Sequence, residues 1–101
     1  MKELEKEFIG KGEVKDFRFK QIFANKYAYM YQVKHPDVHE TYYEVFERRE
    51  NTQYGCISYP KSKAFGIWAW CITDYDRAKE KFAKLTARVQ KREKESGDKN
   101  S

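Results

Sequence analysis

Aromatic residues at every second position are the feature that most constrains the fold of this chain. Fourteen of its 17 aromatic residues lie between positions 17 and 70. Tyr27, Tyr29 and Tyr31 alternate with other residue types. Trp68 and Trp70 have the same spacing near the end of the region. Because the side chains of a β-strand point alternately to its two faces, this spacing predicts strands.

The order of apolar segments and turn residues predicts an α+β fold, with an antiparallel meander of four to five strands packed by one long C-terminal amphipathic helix. The predicted strands are Phe17 to Phe23, Tyr27 to Lys34, Thr41 to Arg48, Tyr54 to Ser58 and Phe65 to Ile72. The helix is predicted from apolar residues at steps of three and four, with Thr73 as its N-cap. These apolar residues are Tyr75, Ala78, Phe82, Leu85 and Val89.

At 101 residues the chain is expected to form one domain. Residues 1–12 are predicted to be an N-terminal arm or a short helix, and residues 13–92 the α+β domain. The helix is expected to fray after about Lys91, and residues 93–101 are expected to form a disordered polar tail.

Both cysteines, Cys56 and Cys71, lie within strand-like apolar segments. They are therefore predicted to be buried, reduced thiols rather than a disulfide. The charged N-terminus has no apolar segment of a signal peptide, and no segment approaches the roughly 20 apolar residues of a membrane span. A cytoplasmic protein without membrane association is expected.

The net positive charge of the chain is confined to its C-terminal quarter. Residues 77–101 contain 9 basic and 4 acidic residues, which accounts for the whole net charge of +5. Five cations are predicted to share one face of the helix: Arg77, Lys81, Lys84, Arg88 and Lys91. Such a row is suited to phosphate contacts, although a solvated helix face has the same composition. Lys61 and Lys63 are further candidates for anion contacts. The alternative is that they belong to an ordinary solvated turn without a binding role.

Both alternating sets of residues in the segment from Phe65 to Ile72 are apolar, which predicts a strand covered on both faces. One helix covers only one face of a sheet. The other face is expected to meet the N-terminal arm, a second protomer or a ligand, and the isolated protein is predicted to self-associate. Tyr29, Tyr31, Trp68 and Trp70 are candidates for stacking on unpaired bases, with core packing as the alternative.

The sequence favours a binding protein over an enzyme. It contains no phosphate-binding glycine loop, paired-cysteine motif, nucleophile elbow or plausible triad. His35 and His39 stand four residues apart, but Pro36 opposes the helix that would bring them together, so no metal site and no cofactor are expected.

The order of strands followed by one long helix resembles small single-stranded nucleic-acid-binding domains such as the PUR-repeat fold, which often dimerise. The stretch from Tyr42 to Leu85, with Ala78 and Phe82 on its helix, is also similar to WGR domains, although the Trp-Gly-Arg triplet is missing. These likenesses imply a nucleic-acid-binding fold and no particular site. We therefore expect a small non-enzymatic domain that binds single-stranded or distorted nucleic acid through sheet aromatics and a basic helix face. The alternative is a protein-interaction module whose aromatic sheet face is buried against a partner or a second protomer.

Overall fold

The structure, a computed structural model, describes residues 1–99, and only the backbone of residues 96–99. A five-stranded antiparallel sheet packs against one C-terminal helix, which confirms the predicted α+β fold. The strands of this sheet, in spatial order, are β1 (Glu7–Ile9), β2 (Arg18–Ala24), β3 (Ala28–His35), β4 (Val38–Glu47) and β7 (Ala69–Ile72). Between β4 and β7, β5 (Glu50–Asn51) and β6 (Cys56–Ile57) form a separate two-stranded sheet. The remaining elements are short 3-10 helices at Gly12–Val14 and Ser62–Ala64 and the helix α1 (Tyr75–Lys99).

Two tight turns set the register of the central strands. Between β2 and β3, the Asn25 side chain accepts hydrogen bonds from the backbone amides of Tyr27 and Ala28, at 2.8 and 2.9 Å. Between β3 and β4, His35 pairs directly with Val38, which leaves a two-residue turn. Since both turns are short, β2, β3 and β4 form the continuous antiparallel meander predicted from the aromatic spacing.

Helix α1 covers one face of the sheet, which we call the helix face. Ala28, Met30 and Val45 are completely buried there beneath apolar residues of α1. The Phe82 ring of the helix stacks on Phe23 of β2, with 5.7 Å between ring centres. The helix N-cap is Asp74 rather than the predicted Thr73, because the Asp74 carboxylate accepts a hydrogen bond from the backbone amide of Arg77.

The opposite face, which we call the arm face, is covered by residues 1–12 and 56–68 of the same chain. Residues 1–12 are predicted to form an arm or a short helix; in the structure they form an arm whose residues Glu7–Ile9 pair with β2 as an edge strand. Glu7 and Ile9 are exposed and Phe8 between them is half-buried, because successive side chains of a strand point to opposite faces and Phe8 points onto the sheet. The Phe8 ring stacks on Phe19 with 4.6 Å between their centres.

The predicted strand from Phe65 to Ile72 is shorter in the structure and begins only at Ala69. Gly66 has a φ of +88°, a left-handed conformation that glycine adopts easily, and its amide donates to the Ala69 carbonyl at 2.7 Å. Residues 62–68 therefore turn back over the arm face instead of extending the sheet. The chain itself covers both faces, so self-association is not needed to bury the aromatic rings, and it stays a prediction.

The cysteines differ from the expectation of two buried residues. Both are free thiols, but Cys56 is half-buried and Cys71 is exposed. Cys71 lies on the arm-face side of β7, the edge strand, where no further strand of the described residues covers it. An apolar neighbourhood in sequence did not produce burial, because burial depends on the position of the strand in the sheet.

Helix α1 continues to Lys99, beyond the expected fraying point near Lys91. The backbone of residues 93–99, assigned to a disordered tail from composition, is helical, and residues 100–101 lie outside the described part of the chain. Arg92, which lies beyond Val89 at the end of the apolar stripe, contacts Glu47 of the sheet, so a tertiary contact holds the helix past that stripe.

The N-terminal arm is held by a hydrogen-bonded clip. Arg48 contacts the Glu3 carboxylate at 2.6 Å, and the Tyr29 hydroxyl donates to the same oxygen at 2.5 Å. Both hydrogen bonds lower the pKa of Glu3, and the one from Arg48 has the larger effect. The arm backbone also pairs with β6, because the Ile57 amide donates to the Lys2 carbonyl at 2.9 Å.

We predict that Glu3→Ala releases the arm, whereas Glu50→Ala does not. Both carboxylates are exposed partners of Arg48, but Glu50 lies 3.9 Å from it and Glu3 only 2.6 Å. Hydrogen exchange of the Ile57 amide should become several-fold faster in the Glu3 variant alone. Since the folded-state pKa of Glu3 is lowered, the clip contributes stability above pH 4.5 and loses it as the pH falls through that lowered pKa. Equal exchange in the two variants would contradict the clip.

Candidate nucleic-acid interface

The two tyrosines proposed to stack on bases lie in the core of the arm face. Tyr29 is 2% exposed and Tyr31 is completely buried. The Tyr31 hydroxyl donates to the backbone carbonyl of Glu5 at 2.6 Å. Burial raises the pKa of both tyrosine hydroxyls above the ordinary value. Neither ring presents a face to a ligand, because residues 1–12 and 56–68 cover them.

The two predicted tryptophans lie on opposite faces of the sheet, so they do not form a row. Trp68 precedes β7 and packs edge-on against Phe46 on the arm face, with 6.4 Å between ring centres. Trp70 lies within β7 and packs on the helix face. Trp68 falls in the turn that follows Gly66, where the alternation of a strand does not apply.

Trp70 is half-buried and lies beside two of the predicted helix cations. The Lys81 ammonium is 3.9 Å from the centre of its ring, and the Arg88 guanidinium is 5.9 Å away. Cations over an indole ring are attracted by its negative face. The structure therefore brings Trp70, Lys81 and Arg88 together at the edge of the sheet.

Next to Trp70, three arginines converge on one buried carboxylate. Glu47, the last residue of β4, has a side chain only 1% exposed. Its Oε1 lies 2.7 Å from Arg92 and 3.5 Å from Arg49, and its Oε2 lies 3.4 Å from Arg88. We call these four residues the arginine cluster. Three positive charges face one negative charge, so the cluster has an excess of two positive charges on guanidinium groups that are about half exposed.

The other predicted cations are less constrained. Arg77 lies 3.9 Å from Asp74, and Lys84 lies 3.1 Å from Glu80. Both are exposed pairs on the helix surface, which contribute little to stability. The exposed Lys91 extends the same row. These side chains remain accessible to an anion without disturbing the core.

Lys61 and Lys63 lie on the arm-face side of β7, in and beside the 3-10 helix Ser62–Ala64. Both are exposed, and neither takes part in a salt bridge among the described side chains. The helix row lies on the other side of the sheet, so the two groups of predicted cations do not form one continuous surface.

Sequence reasoning missed a group of three cations on the open part of the helix face, which we call the sheet patch. Arg18 of β2 stands directly opposite Lys34 of β3, and Lys20 follows on the same face. Like charges directly opposite in a sheet are destabilising. None of the three forms a salt bridge among the described side chains, although Glu7 pairs across from Lys20. The alternation of Arg18 and Lys20 is visible in the sequence, but their juxtaposition with Lys34 requires the strand register.

Sequence reasoning also missed Glu47, Arg49 and Arg92 as members of the arginine cluster. The four-residue step from Arg88 to Arg92 places both on one side of α1. Nothing in the local sequence indicates that they meet Glu47, because that contact joins residues more than 40 positions apart.

The structure contains a second buried acid, Glu44, on the arm face. It is 7% exposed and accepts one hydrogen bond, from the Tyr59 hydroxyl at 2.8 Å. Burial raises the pKa of Glu44, and the Tyr59 hydrogen bond partly opposes this shift. Glu44 and Glu47 are thus two buried carboxylates with opposite surroundings, one without a cation and one with three.

The described part of the chain shows neither a metal-binding group of side chains nor a membrane-spanning helix. Residues 1–99 contain no group of three or more His, Cys, Asp or Glu side chains placed to hold a metal ion. The helix in this part of the chain is not apolar enough along its length to cross a membrane.

We predict that replacing the two buried acids by glutamine changes stability in opposite directions at pH 7. Glu47→Gln should lower the free energy of unfolding by about 1.5–3 kcal/mol, because it weakens hydrogen bonds between charged groups. Glu44→Gln should raise it, since Gln keeps an acceptor for Tyr59 and removes a buried charge. Urea unfolding measures both effects.

The pH dependence of Glu44→Gln provides a further check. The folded-state pKa of Glu44 is raised, so folding favours its protonated side chain. This contribution to stability is complete below pH 4.5 and is lost as the pH rises through the raised pKa. The advantage of the glutamine variant should therefore disappear near pH 4. Glu80→Gln, which removes an exposed acid from α1, is the control and should change stability by less than about 0.5 kcal/mol. A destabilised Glu44→Gln protein at pH 7 would show that the buried charge has a partner.

Comparisons with protein-family models, with curated proteins and with solved structures found no match to this chain. Its function is therefore inferred from the arrangement of its own residues. That arrangement combines two half-buried indole rings, Trp70 beside Lys81 and Trp68 beside Arg49, with an arginine cluster of excess positive charge and a separate sheet patch.

Proposed function

We propose that this protein is a small non-enzymatic domain that binds single-stranded or distorted nucleic acid at the edge of its sheet. The observation that carries the proposal is the arginine cluster beside Trp70, where three guanidinium groups share one buried carboxylate. A single carboxylate neutralises only part of this charge. Phosphate groups of a nucleic acid are suited to neutralise the remaining positive charge.

The contacts with Glu47 hold the guanidinium groups in place before a ligand arrives. A guanidinium presents five donors in a planar fork, so an arginine bound to Glu47 through one nitrogen keeps others for phosphate oxygens. Preorganised donors lose less conformational entropy on binding than free side chains. Lys84 and Arg77, which form only exposed pairs, extend the contacts along α1.

Trp70 supplies the ring on which a base stacks. Its indole is half-buried, and its neighbour Lys81 lies over the ring rather than in a salt bridge among the described side chains. A base that stacks on Trp70 displaces the Lys81 ammonium, which then contacts a neighbouring phosphate. Stacking needs an unpaired or displaced base, which favours single-stranded or distorted nucleic acid over a regular duplex.

The sheet patch is proposed as a second, separate phosphate contact. The opposition of Arg18 and Lys34 has a cost to folding that no described salt bridge offsets. An anionic ligand would remove this repulsion. Lys61 and Lys63 are not needed for either surface. Tyr29 and Tyr31 act as core residues in this proposal, and the half-buried Trp68 supports Arg49 of the arginine cluster, which lies 4.9 Å from its ring centre.

An acidic protein partner is the competing use of the same cations. The form of this alternative in which the aromatic sheet face is buried against a partner or second protomer has less support, because the chain covers that face itself. The free, exposed Cys71 is compatible with a reducing compartment, and we propose a cytoplasmic location.

We predict that the double variant Lys81→Gln and Lys84→Gln binds a 12-nucleotide oligothymidine more weakly than the unmodified protein. Neither lysine contacts Glu47, so the free energy of unfolding should change by less than about 1 kcal/mol. The slope of log K against log salt should become shallower by about 0.7 for each phosphate that the variant no longer neutralises. Fluorescence anisotropy at several salt concentrations measures both affinity and slope.

The control is the double variant Lys6→Gln and Lys15→Gln, which removes the same net charge from exposed positions outside the cluster and the sheet patch. It should leave affinity and slope nearly unchanged. If the two double variants weaken binding equally, the protein binds through diffuse charge and the proposed site is wrong. If the unmodified protein binds no oligonucleotide even at low salt, the nucleic-acid function fails and the acidic-partner alternative takes its place.

Substitutions in the sheet patch are expected to affect stability and binding in opposite directions. Arg18→Gln combined with Lys34→Gln should raise the free energy of unfolding by about 0.2–1 kcal/mol, because it removes a like-charge pair. The same variant should bind oligothymidine more weakly. Greater stability with unchanged binding would remove the patch from the proposed interface and leave Trp70 and the arginine cluster in it.

A further inference from the structure

A groove on the arm face, distinct from the proposed nucleic-acid interface, leads to Glu44. Its volume is about 500 Å³, within the range of sites for small molecules. Phe19, Tyr59 and Phe65 contribute apolar walls, and Glu44 supplies the buried acid. We call this the Glu44 groove.

One oxygen of Glu44 remains available to a ligand. Oε1 accepts the hydrogen bond from Tyr59, while no hydrogen bond to Oε2 occurs among the described residues. Every fully buried side-chain oxygen of the described residues has a hydrogen-bond partner, so Oε2 is not completely buried, and Glu44 is one of the residues that line the groove. The carboxylate therefore retains an acceptor that the protein does not use.

The groups around Glu44 provide no buried counter-charge. Tyr42, Tyr59 and Cys71 are its titratable neighbours; burial raises the pKa of each, and the charge of Glu44 raises it further. At the groove rim Lys11, Lys61 and Glu13 are all exposed, and neither lysine forms a salt bridge with Glu44. Glu47, the other buried acid, has three arginine partners.

We propose that the Glu44 groove binds a small primary amine with an aromatic or aliphatic body, whose ammonium group pairs with Glu44. An ammonium group has three donors and the positive charge that the surroundings of Glu44 lack. The apolar body of such a ligand is suited to the ring walls formed by Phe19, Tyr59 and Phe65. The ammonium group of the ligand would form an ion pair with the buried Glu44 carboxylate, which has no cationic partner among the described side chains.

The test uses 2-phenylethylamine and its neutral analogue 2-phenylethanol, with the full chain. Amide chemical shifts of Tyr59, Lys61 and Phe65 should change on titration with the amine, and the alcohol should bind at least about tenfold more weakly, the factor that about 1.4 kcal/mol of ion-pair energy gives. Glu44→Gln should weaken amine binding by a similar factor. Glu13→Gln, which removes an exposed acid from the same rim, should change it by less than about twofold, because an exposed charge is screened by solvent.

A second measurement does not depend on the folding of any variant. The carboxyl carbon resonance of Glu44 in the unmodified protein reports its titration, and the amine should lower the pKa of Glu44 because it stabilises the charged form. Amine affinity should correspondingly rise as the pH increases through that pKa. The proposal is wrong if the amine and alcohol bind equally, if Glu44→Gln binds the amine as well as the unmodified protein does, or if a saturating amine concentration leaves the Glu44 titration unchanged.

Discussion

The burial of strand β3 from both sides is the constraint on which the rest of the structure depends. Tyr29, Tyr31 and Val33 point to one face, and Ala28 and Met30 point to the other, and all five are buried. A strand with two apolar faces requires two covers. Helix α1 provides one, and residues 1–12 with residues 56–68 provide the other.

The two covers differ in how they are held, and this difference separates the chemistry of the two faces. Helix α1 packs through an apolar stripe, and its arginines then reach the Glu47 carboxylate. The arm packs through Leu4 and Phe8 and is also held by polar contacts, which join Glu3 to Arg48 and the buried tyrosine hydroxyls to Glu3 and Glu5. An apolar helix interface is more suited to a permanent support, whereas hydrogen bonds at an exposed carboxylate respond to pH.

Two carboxylates buried in β4 illustrate how the environment decides the role of a residue. Glu44 and Glu47 lie three positions apart and point to opposite faces of the sheet. On the helix face, Glu47 gathers three arginines and leaves a surface with excess positive charge. On the arm face, Glu44 has only the Tyr59 hydroxyl, so its charge remains uncompensated. The first arrangement favours an anionic ligand and the second a cationic one.

The sequence by itself determined the fold class, most strand positions and the helix, because alternation and three-to-four spacing are local properties of the chain. It also singled out Trp70, Lys81 and Arg88, which the structure places side by side. It did not identify which aromatic rings are buried, since Tyr29 and Tyr31 alternate in the same way whether or not residues 1–12 and 56–68 cover them. Only the tertiary structure decided that Gly66 turns residues 62–68 over the arm face, that Arg49 and Arg92 meet Glu47, and that Arg18 stands opposite Lys34. These arrangements depend on strand register and on the path of the covering segments, which no local pattern specifies.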